Sequence, residues 1–445
     1  MHNGDMHIIG KNRSVLLLMA LASAGLAQDT GPLKLTLRDA VALALKQNPQ
    51  VILANLGIAV NEQERLVARS ALLPQLGGGL SEVDNRVNLQ ASLGLSFAGL
   101  PQHVGPFQVF QAGGHFAAPV FDLTLWRRYR SAQIGVEAGR AQEVTVREES
   151  VMLVVSQYLG SQRAAADVEA AKSRVNLAQA LYDQAADLLK NGVGTGIDAL
   201  RANVQLQNEK QRLIVAQTQL QTALFGLARL LNVDPRRSIE LADQVSFFET
   251  PPVSADATLE RAYNARPELR QILARQQRAE LESRAAGEQR LPKVSVSGFW
   301  AEQGLTPSSS IPVYQYQASV DVPLFTGGRI AAARVEAGLA IRELKQQEQD
   351  LRNRIALEVK TAIVQLEAAR NEVTVANLGV DLARQEVEQA RDRFQAGVTN
   401  NIEAITAQDE LARANDNQIA ALYRYNQSRA DLAHAVGQME ALYAR

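Results

Sequence analysis

Residues with reactive or ligating side chains are few in this 445-residue chain, and they are scattered. There is no cysteine, which removes disulfides, thiolate nucleophiles and thiolate metal sites. The histidines (His2, His7, His103, His115 and His434) lack the spacing of a metal site; His103 reads as a loop residue and His115 as facing a polar interior. Gly192-Val193-Gly194-Thr195-Gly196 has the glycine density of a phosphate-cradling loop. It lacks the preceding strand and following lysine that such a loop needs, and it reads as a tight turn between antiparallel helices. A counterpart, Gly397-Val398-Thr399-Asn400-Asn401, lies in the second half. One helical turn beyond each stands an acid, Asp198 or Glu403, whose simplest role is a helix-start carboxylate favoured by the dipole. An enzyme using both acids would need them in one pocket, and equivalent turns of two hairpins do not supply one. No Ser/His/Asp constellation occurs, so no catalytic residue, cofactor-binding residue, metal ligand or cofactor is expected.

The elements that carry these residues are more informative. Lys+Arg number 46 and Asp+Glu 47, so the chain has neither the basic footprint of a nucleic-acid binder nor the acidity of a disordered one. Lys11 and Arg13, the apolar run Val15 to Ala22, and the small residues Gly25 and Ala27 form a secretion signal, residues 1–27. No later stretch approaches the roughly 20 apolar residues of a membrane-crossing helix.

The remainder reads as two copies of one design. Leu37-Arg38-Asp39-Ala40 through Asn48-Pro49 is repeated as Leu259-Glu260-Arg261-Ala262 through Arg266-Pro267, and Leu73-Pro74 as Leu291-Pro292. Pro119-Val120-Phe121 recurs as Pro323-Leu324-Phe325, and Gly192-Val193 as Gly397-Val398, at an offset of about 204–205 residues. The first repeat is residues 28–232: a helix, a β-hairpin over about 76–121 and a long helical hairpin over 123–232. Residues 233–257, with Pro235, Pro251 and Pro252, read as a linker holding at most a short strand. The second repeat is residues 258–440, with its β-hairpin over about 292–325 and its helical hairpin over 327–440.

Both helical hairpins carry the same heptad. Ala164, Val168, Ala171, Val175, Ala178, Tyr182, Ala185 and Leu189 alternate at spacings of four and three, and Ala369, Val373, Ala376, Val380, Ala383, Val387, Ala390 and Phe394 repeat them. This is a coiled-coil seam, with alanine where backbones approach closely. The return helix continues with Leu206, Leu213, Leu220 and Leu227. Proline-free runs of close to 70 residues predict helices of about 100 Å.

The segments before the long helices alternate with period two. Val87, Leu89, Ala91, Leu93, Leu95 and Phe97 predict one strand; Phe110, Ala112, Gly114, Phe116, Ala118 and Val120 predict the next, after a loop from Gly99 to Pro106. In the second copy, Val294, Val296 and Trp300 lie on one face, as do Tyr314, Tyr316, Ala318, Val320 and Val322, around a loop from Thr306 to Pro312. Gln111, His115, Gln315, Gln317 and Ser319 fall on the opposite face. Strands apolar on one side and polar on the other fit a membrane barrel with a wet interior. Four strands fall below the minimum of about eight for a closed barrel, and an open edge cannot face lipid, so several chains must pool their hairpins.

With its leader, duplicated halves, two barrel hairpins and heptad-bearing helices, the sequence resembles the TolC family of outer-membrane efflux proteins. The matching pieces are Leu37-Arg38-Asp39-Ala40 to Asn48-Pro49, Leu73-Pro74, Pro323-Leu324-Phe325-Thr326-Gly327-Gly328 and the turns at Gly192 and Gly397, in order over residues 33–440. The resemblance implies a mainly α chain that gives four strands to a 12-stranded barrel in a homotrimer, and helices that form a tunnel across the periplasm. It implies a passive duct in the Gram-negative outer membrane, touching its lipid and working with a periplasmic adaptor protein and an inner-membrane pump. The adaptor-docking tip would be Gly192, Val193, Gly194, Gly397, Val398 and Thr399, and the periplasmic mouth Asp198 and Glu403. Relatives with a cation-sensitive mouth carry two acids three apart; here Glu403 is followed by Thr406, and Arg201 stands at the first-half position. The alternative is a periplasmic adaptor-like coiled-coil protein without a channel, which would need one hairpin flanked by compact β-domains.

Overall fold

The computed structural model describes residues 32–94, 99, 101–243, 254–396, 398 and 401–444. The leader reading, Gly397, Thr399 and part of the linker lie outside these residues.

Each repeat enters through a pair of short helices. α1 (Leu37–Gln47) starts at Thr36, whose hydroxyl accepts from the Asp39 amide at 3.1 Å while the Asp39 carboxylate accepts from the Thr36 amide, closing a capping box. α2 (Pro49–Ser70) follows at once, with proline in its first turn and Asn48 as cap. The second copy repeats the device as α6 (Ala255–Ala265) and α7 (Pro267–Glu288). A three-residue strand before α1, β1 (Leu33–Leu35), pairs in parallel with β4 (Ile239–Leu241) from the linker.

The long helices are α4 (Leu123–Lys190, 68 residues) and α8 (Arg329–Gln395, 67 residues). α5 (Gly196–Leu230) folds back on α4, and α9 (Asn401–Val436) on α8. The predicted seams are the buried ones: Val168, Ala171, Ala178 and Ala185 on α4, and Ala369, Val373, Val380, Ala383 and Ala390 on α8. Leu189, at the end of the first seam, is exposed. Among the described residues no helix is long and apolar enough to cross a membrane.

One four-stranded antiparallel sheet takes both hairpins, in the order β2 (Gln75–Asn88), β3 (His103–Phe121), β5 (Lys293–Gly304), β6 (Ile311–Asp321). Its first strand differs from the sequence expectation. The strand runs from Gln75, and Leu89–Leu93, expected to be extended, form the short helix α3. The Asn88 side chain accepts from the Ala91 amide at 3.1 Å, so asparagine ends the strand and starts a helical turn. The start at Gln75 agrees with the expected hairpin bounds of about 76–121; the difference lies at the strand's far end. The expected loop from Gly99 to Pro106 ends sooner, because β3 begins at His103.

The register settles the two faces. Leu76, Phe116, Gly298 and Tyr316 form one row across the sheet, and Gly78, Gly114, Trp300 and Tyr314 the next on the same side. Phe116 and Tyr316 stand 6.2 Å apart over Gly298, where a Cβ would meet both rings. The intervening rows hold Gly77, His115, Phe299 and Gln315, and Ala117, Ser297 and Gln317, which make the polar side. His115 lies over Gly77 on that side.

Below the sheet the helices keep the strand order. α4 packs between α2 and α7, and α7 against α8, so each helix continues the strand it adjoins. Arg140 bonds Glu62 of α2, while Arg127 bonds Glu288 and the Ser131 hydroxyl donates to Glu282 of α7. The result is one continuous wall, sheet above and helices below.

Candidate functional site

The helical hairpins end in turns far along the helices from the sheet. At the first, the Asn191 amide donates to the Asp187 carbonyl at 3.0 Å, and the amides of Val193 and Gly194 both reach the Leu188 carbonyl. Gly192 has φ +73°, the left-handed geometry that closes a helix C-terminus. A Cβ on Gly194 would stand 2.9 Å from the Leu188 Cβ, so the chain passes too close there for a side chain. Val193 is 79% exposed and Val398, at the second turn, 70%. Ile197 (53%) and Leu200 (63%) are exposed beside Val193, so the first tip presents a small cluster of apolar side chains.

Thr195 caps α5, and its hydroxyl also donates to the Asp198 carboxylate. Asp198 lies 3.9 Å from Arg201, and Glu403 lies 3.3 Å from Arg393 at the end of α8. Each predicted mouth acid is thus accompanied by an arginine, which weakens any ring of bare like charges. Arg393 was missed by sequence reasoning because it belongs to the opposite arm of the hairpin. The two tips meet in a mainly apolar cleft of about 490 Å³, where Ile197, Leu200, Val204, Ile402 and Ile405 are joined by Arg201, Gln205 and Thr406.

Polar ties bind the two hairpins further along. The Gln205 amide donates to Asp409 at 3.0 Å, and Arg174 bonds Asp416 at 2.7 Å. Glu209 is 3% exposed and sits between Arg212 at 2.7 Å and Arg174 at 3.4 Å. A carboxylate this buried is tolerable only when paired, so these arginines are obligatory neighbours. Burial pushes the Asp167 carboxyl above the usual range; Arg163 opposes this, and Asp416 adds to it. Among the described residues no group of acids and histidines could hold a metal ion.

A long two-hairpin wall bearing a one-faced sheet is a whole-chain pattern, and it is matched as a whole. The model of the outer membrane efflux protein family matches residues 40–233 and 258–438. The chain belongs to that family. Alkaline protease secretion protein AprF of Pseudomonas aeruginosa is 24% identical over 426 residues, which cover 91% of this chain and 85% of AprF. The CmeC outer membrane channel of Campylobacter jejuni superimposes with a TM-score of 0.79 at 18% identity, over 90% of this chain and 85% of CmeC. The outer membrane protein VceC of Vibrio cholerae does so with a TM-score of 0.75 at 19% identity, over 90% and 96% of the two chains. The fold is TolC-like, and the protein is an outer-membrane duct of the efflux or secretion kind, with its helices in the periplasm. The adaptor-like alternative is not favoured: the sheet and both hairpins fall within the matched fold.

Proposed function

We propose that three copies of this chain pool twelve strands into one barrel and continue it as a helical tunnel, a passive exit path for cargo handed over by an inner-membrane pump. The observation that carries this reading is the sheet. β2 and β6 each have a neighbouring strand on one side only, and one face is apolar across the rows of Phe116 and Trp300, with Glu302 and Glu82 following toward the loop end. Lipid cannot satisfy open edges, so they must be paired, and further copies of the chain are the partners that repeat the geometry. The exposed apolar tip supports a docking role for Gly192, Val193, Gly194, Gly397, Val398 and Thr399 toward a periplasmic adaptor, with Asp198 and Glu403 just inside the mouth. AprF, named for secretion of a protease, supports a secreted polypeptide as cargo; small toxic molecules are the other class. The test is assembly. Detergent-extracted protein should be a trimer by light scattering, converting cooperatively to monomer on heating. A monodisperse folded monomer would overturn the reading.

A further inference from the structure

The sequence Trp126-Arg127-Arg128-Tyr129-Arg130 opens α4 directly below the sheet. Its residues divide between the two sides of the wall. Arg127 is half-buried and bonds Glu288 of α7. Arg128 lines a cleft with Lys293 and Asp321, which face each other in the register on the polar side of the sheet. Trp126 and Arg130 are each about 200° around the helix from Arg128, at 100° per residue. They therefore stand on the opposite side, which continues the apolar face. Because α2 and α7 of the same chain flank α4, that side is not a lateral contact with another copy.

Trp126 is 44% exposed, with Tyr129 at 5.9 Å and the Arg130 guanidinium 5.7 Å from its ring centre. Arg130 has no carboxylate partner among the described residues. Trp126 and Arg130 lie three and seven residues into the helix, about 5 and 10 Å below its start. Side chains on a helix lean toward its N-terminus, which lifts Arg130 toward the sheet. The headgroup layer of a bilayer is about 5–8 Å deep on each side, so both side chains fall at its level. An indole with an unpaired guanidinium stacked on it suits an interface that is apolar above and anionic below.

We propose that Trp126 and Arg130 form a binding site for the phosphate of an anionic phospholipid headgroup in the periplasmic leaflet, a collar repeated once per chain. This rests on the outer-membrane reading above and adds a lipid class and two residues to it. Arg130 supplies the charge, and Trp126 holds the guanidinium and the acyl-chain boundary.

The chain has two tryptophans, so Trp300→Phe leaves Trp126 as the only indole. That variant, full-length and reconstituted in vesicles containing phosphatidylglycerol, should lose most of its fluorescence to a lipid spin-labelled at the headgroup. Quenching by water-soluble acrylamide but not by the labelled lipid would put Trp126 on the lumen side and overturn the proposal. In detergent, native mass spectrometry should show phosphatidylglycerol retained over phosphatidylcholine. Arg130→Gln should cut that preference roughly fivefold, and Arg128→Gln on the polar side should leave it unchanged. An equal loss in both variants, no preference in the unaltered protein, or displacement of the lipid by inorganic phosphate would each overturn it. Flotation of the vesicles reads membrane insertion separately: inserted protein with unquenched Trp126 defeats this proposal alone, whereas failure to insert defeats the reading beneath it.

Discussion

α4 and α8 are copies of one helix, alike in length and seam, yet they are packed very differently. α4 buries residues from its first turn, beginning with Thr124, Ser131, Gly135 and Val136, because α2 and α7 flank it. α8 buries nothing before Leu351, and Val335 and Leu339 are 63% and 55% exposed. The sequences do not differ in kind; their positions in the wall do. α4 continues an inner strand and α8 an edge strand, so the second copy carries a face that a single chain leaves uncovered. A heptad records that a helix has partners, but not whether those partners belong to the same chain.

The sharpest way to break this comparison is to place the same charge on each helix. Ala171→Glu puts an unpaired carboxylate into the filled α4–α5 seam and should cost about 3–5 kcal/mol, read as lost helicity and early urea unfolding. Leu339→Glu should leave the monomer's helicity intact and abolish the trimer in light scattering. If Leu339→Glu assembles normally, the bare face of α8 is not an interface.

The sheet offers the next contrast. Tyr316→Arg, at the middle of β6 on the apolar face, should cost about 2–4 kcal/mol per chain near the bilayer midplane and reduce insertion, while Gln317→Arg on the polar face should assemble and change conductance. Equal assembly of the two would reverse the assignment of faces. At the tip, Gly192→Val should add strain of about 1–2 kcal/mol at a left-handed residue. A Cβ there meets nothing within 4 Å, so the effect stays local. Export should fall while trimer yield persists; unchanged export would remove the first turn from the docking surface.

The smaller effects concern charge. Asp167 titrates higher folded than unfolded, chiefly through burial, against the pull of Arg163 and Arg174 and with the push of Asp416. Folding therefore favours its protonated form, and its contribution is lost as pH rises through the raised folded value. Thermal unfolding followed upward from the ordinary carboxylate value of 3.8 should show a decline that Asp167→Asn lessens; an identical pH slope in the variant would remove Asp167 as its source. Smallest of all, Glu403→Gln removes an acid already paired with Arg393. It should shift cation selectivity in single-channel recordings slightly, and no shift at all would leave Glu403 as a helix-start carboxylate.

What could be read from the sequence was whatever repeats at short period. The seam from Val168 to Ala185 and the shared apolar side of Phe116, Tyr314 and Tyr316 follow from spacing alone, because burial imposes that spacing. The short helix α3 was hidden because one asparagine cap overrode a period-two pattern. Ties such as Arg174 to Asp416 and Gln205 to Asp409 could not be read, since nothing local marks which of many surface charges will face each other. The apolar cleft between the tips was missed for the same reason: Leu200 and Ile402 each look like an ordinary exposed residue on an amphipathic helix.

The small parallel ribbon of β1 and β4 closes a core gathered from four distant stretches. Leu35 and Ala40 meet Val151 to Leu159, Leu227 to Ile239, and Ala430 to Met439. Tyr158 donates to the Leu35 carbonyl at 2.9 Å and to Asp243 at 3.1 Å, while Glu148 accepts from the Met439 amide at 2.7 Å. Chain emerging in order from the secretion machinery can zip its helical hairpins one at a time, but it cannot seal this belt until residues near 439 have arrived. A chain without residues 430–439 would therefore leave Val151, Val155 and Leu227 open to water, however well its first hairpin had formed.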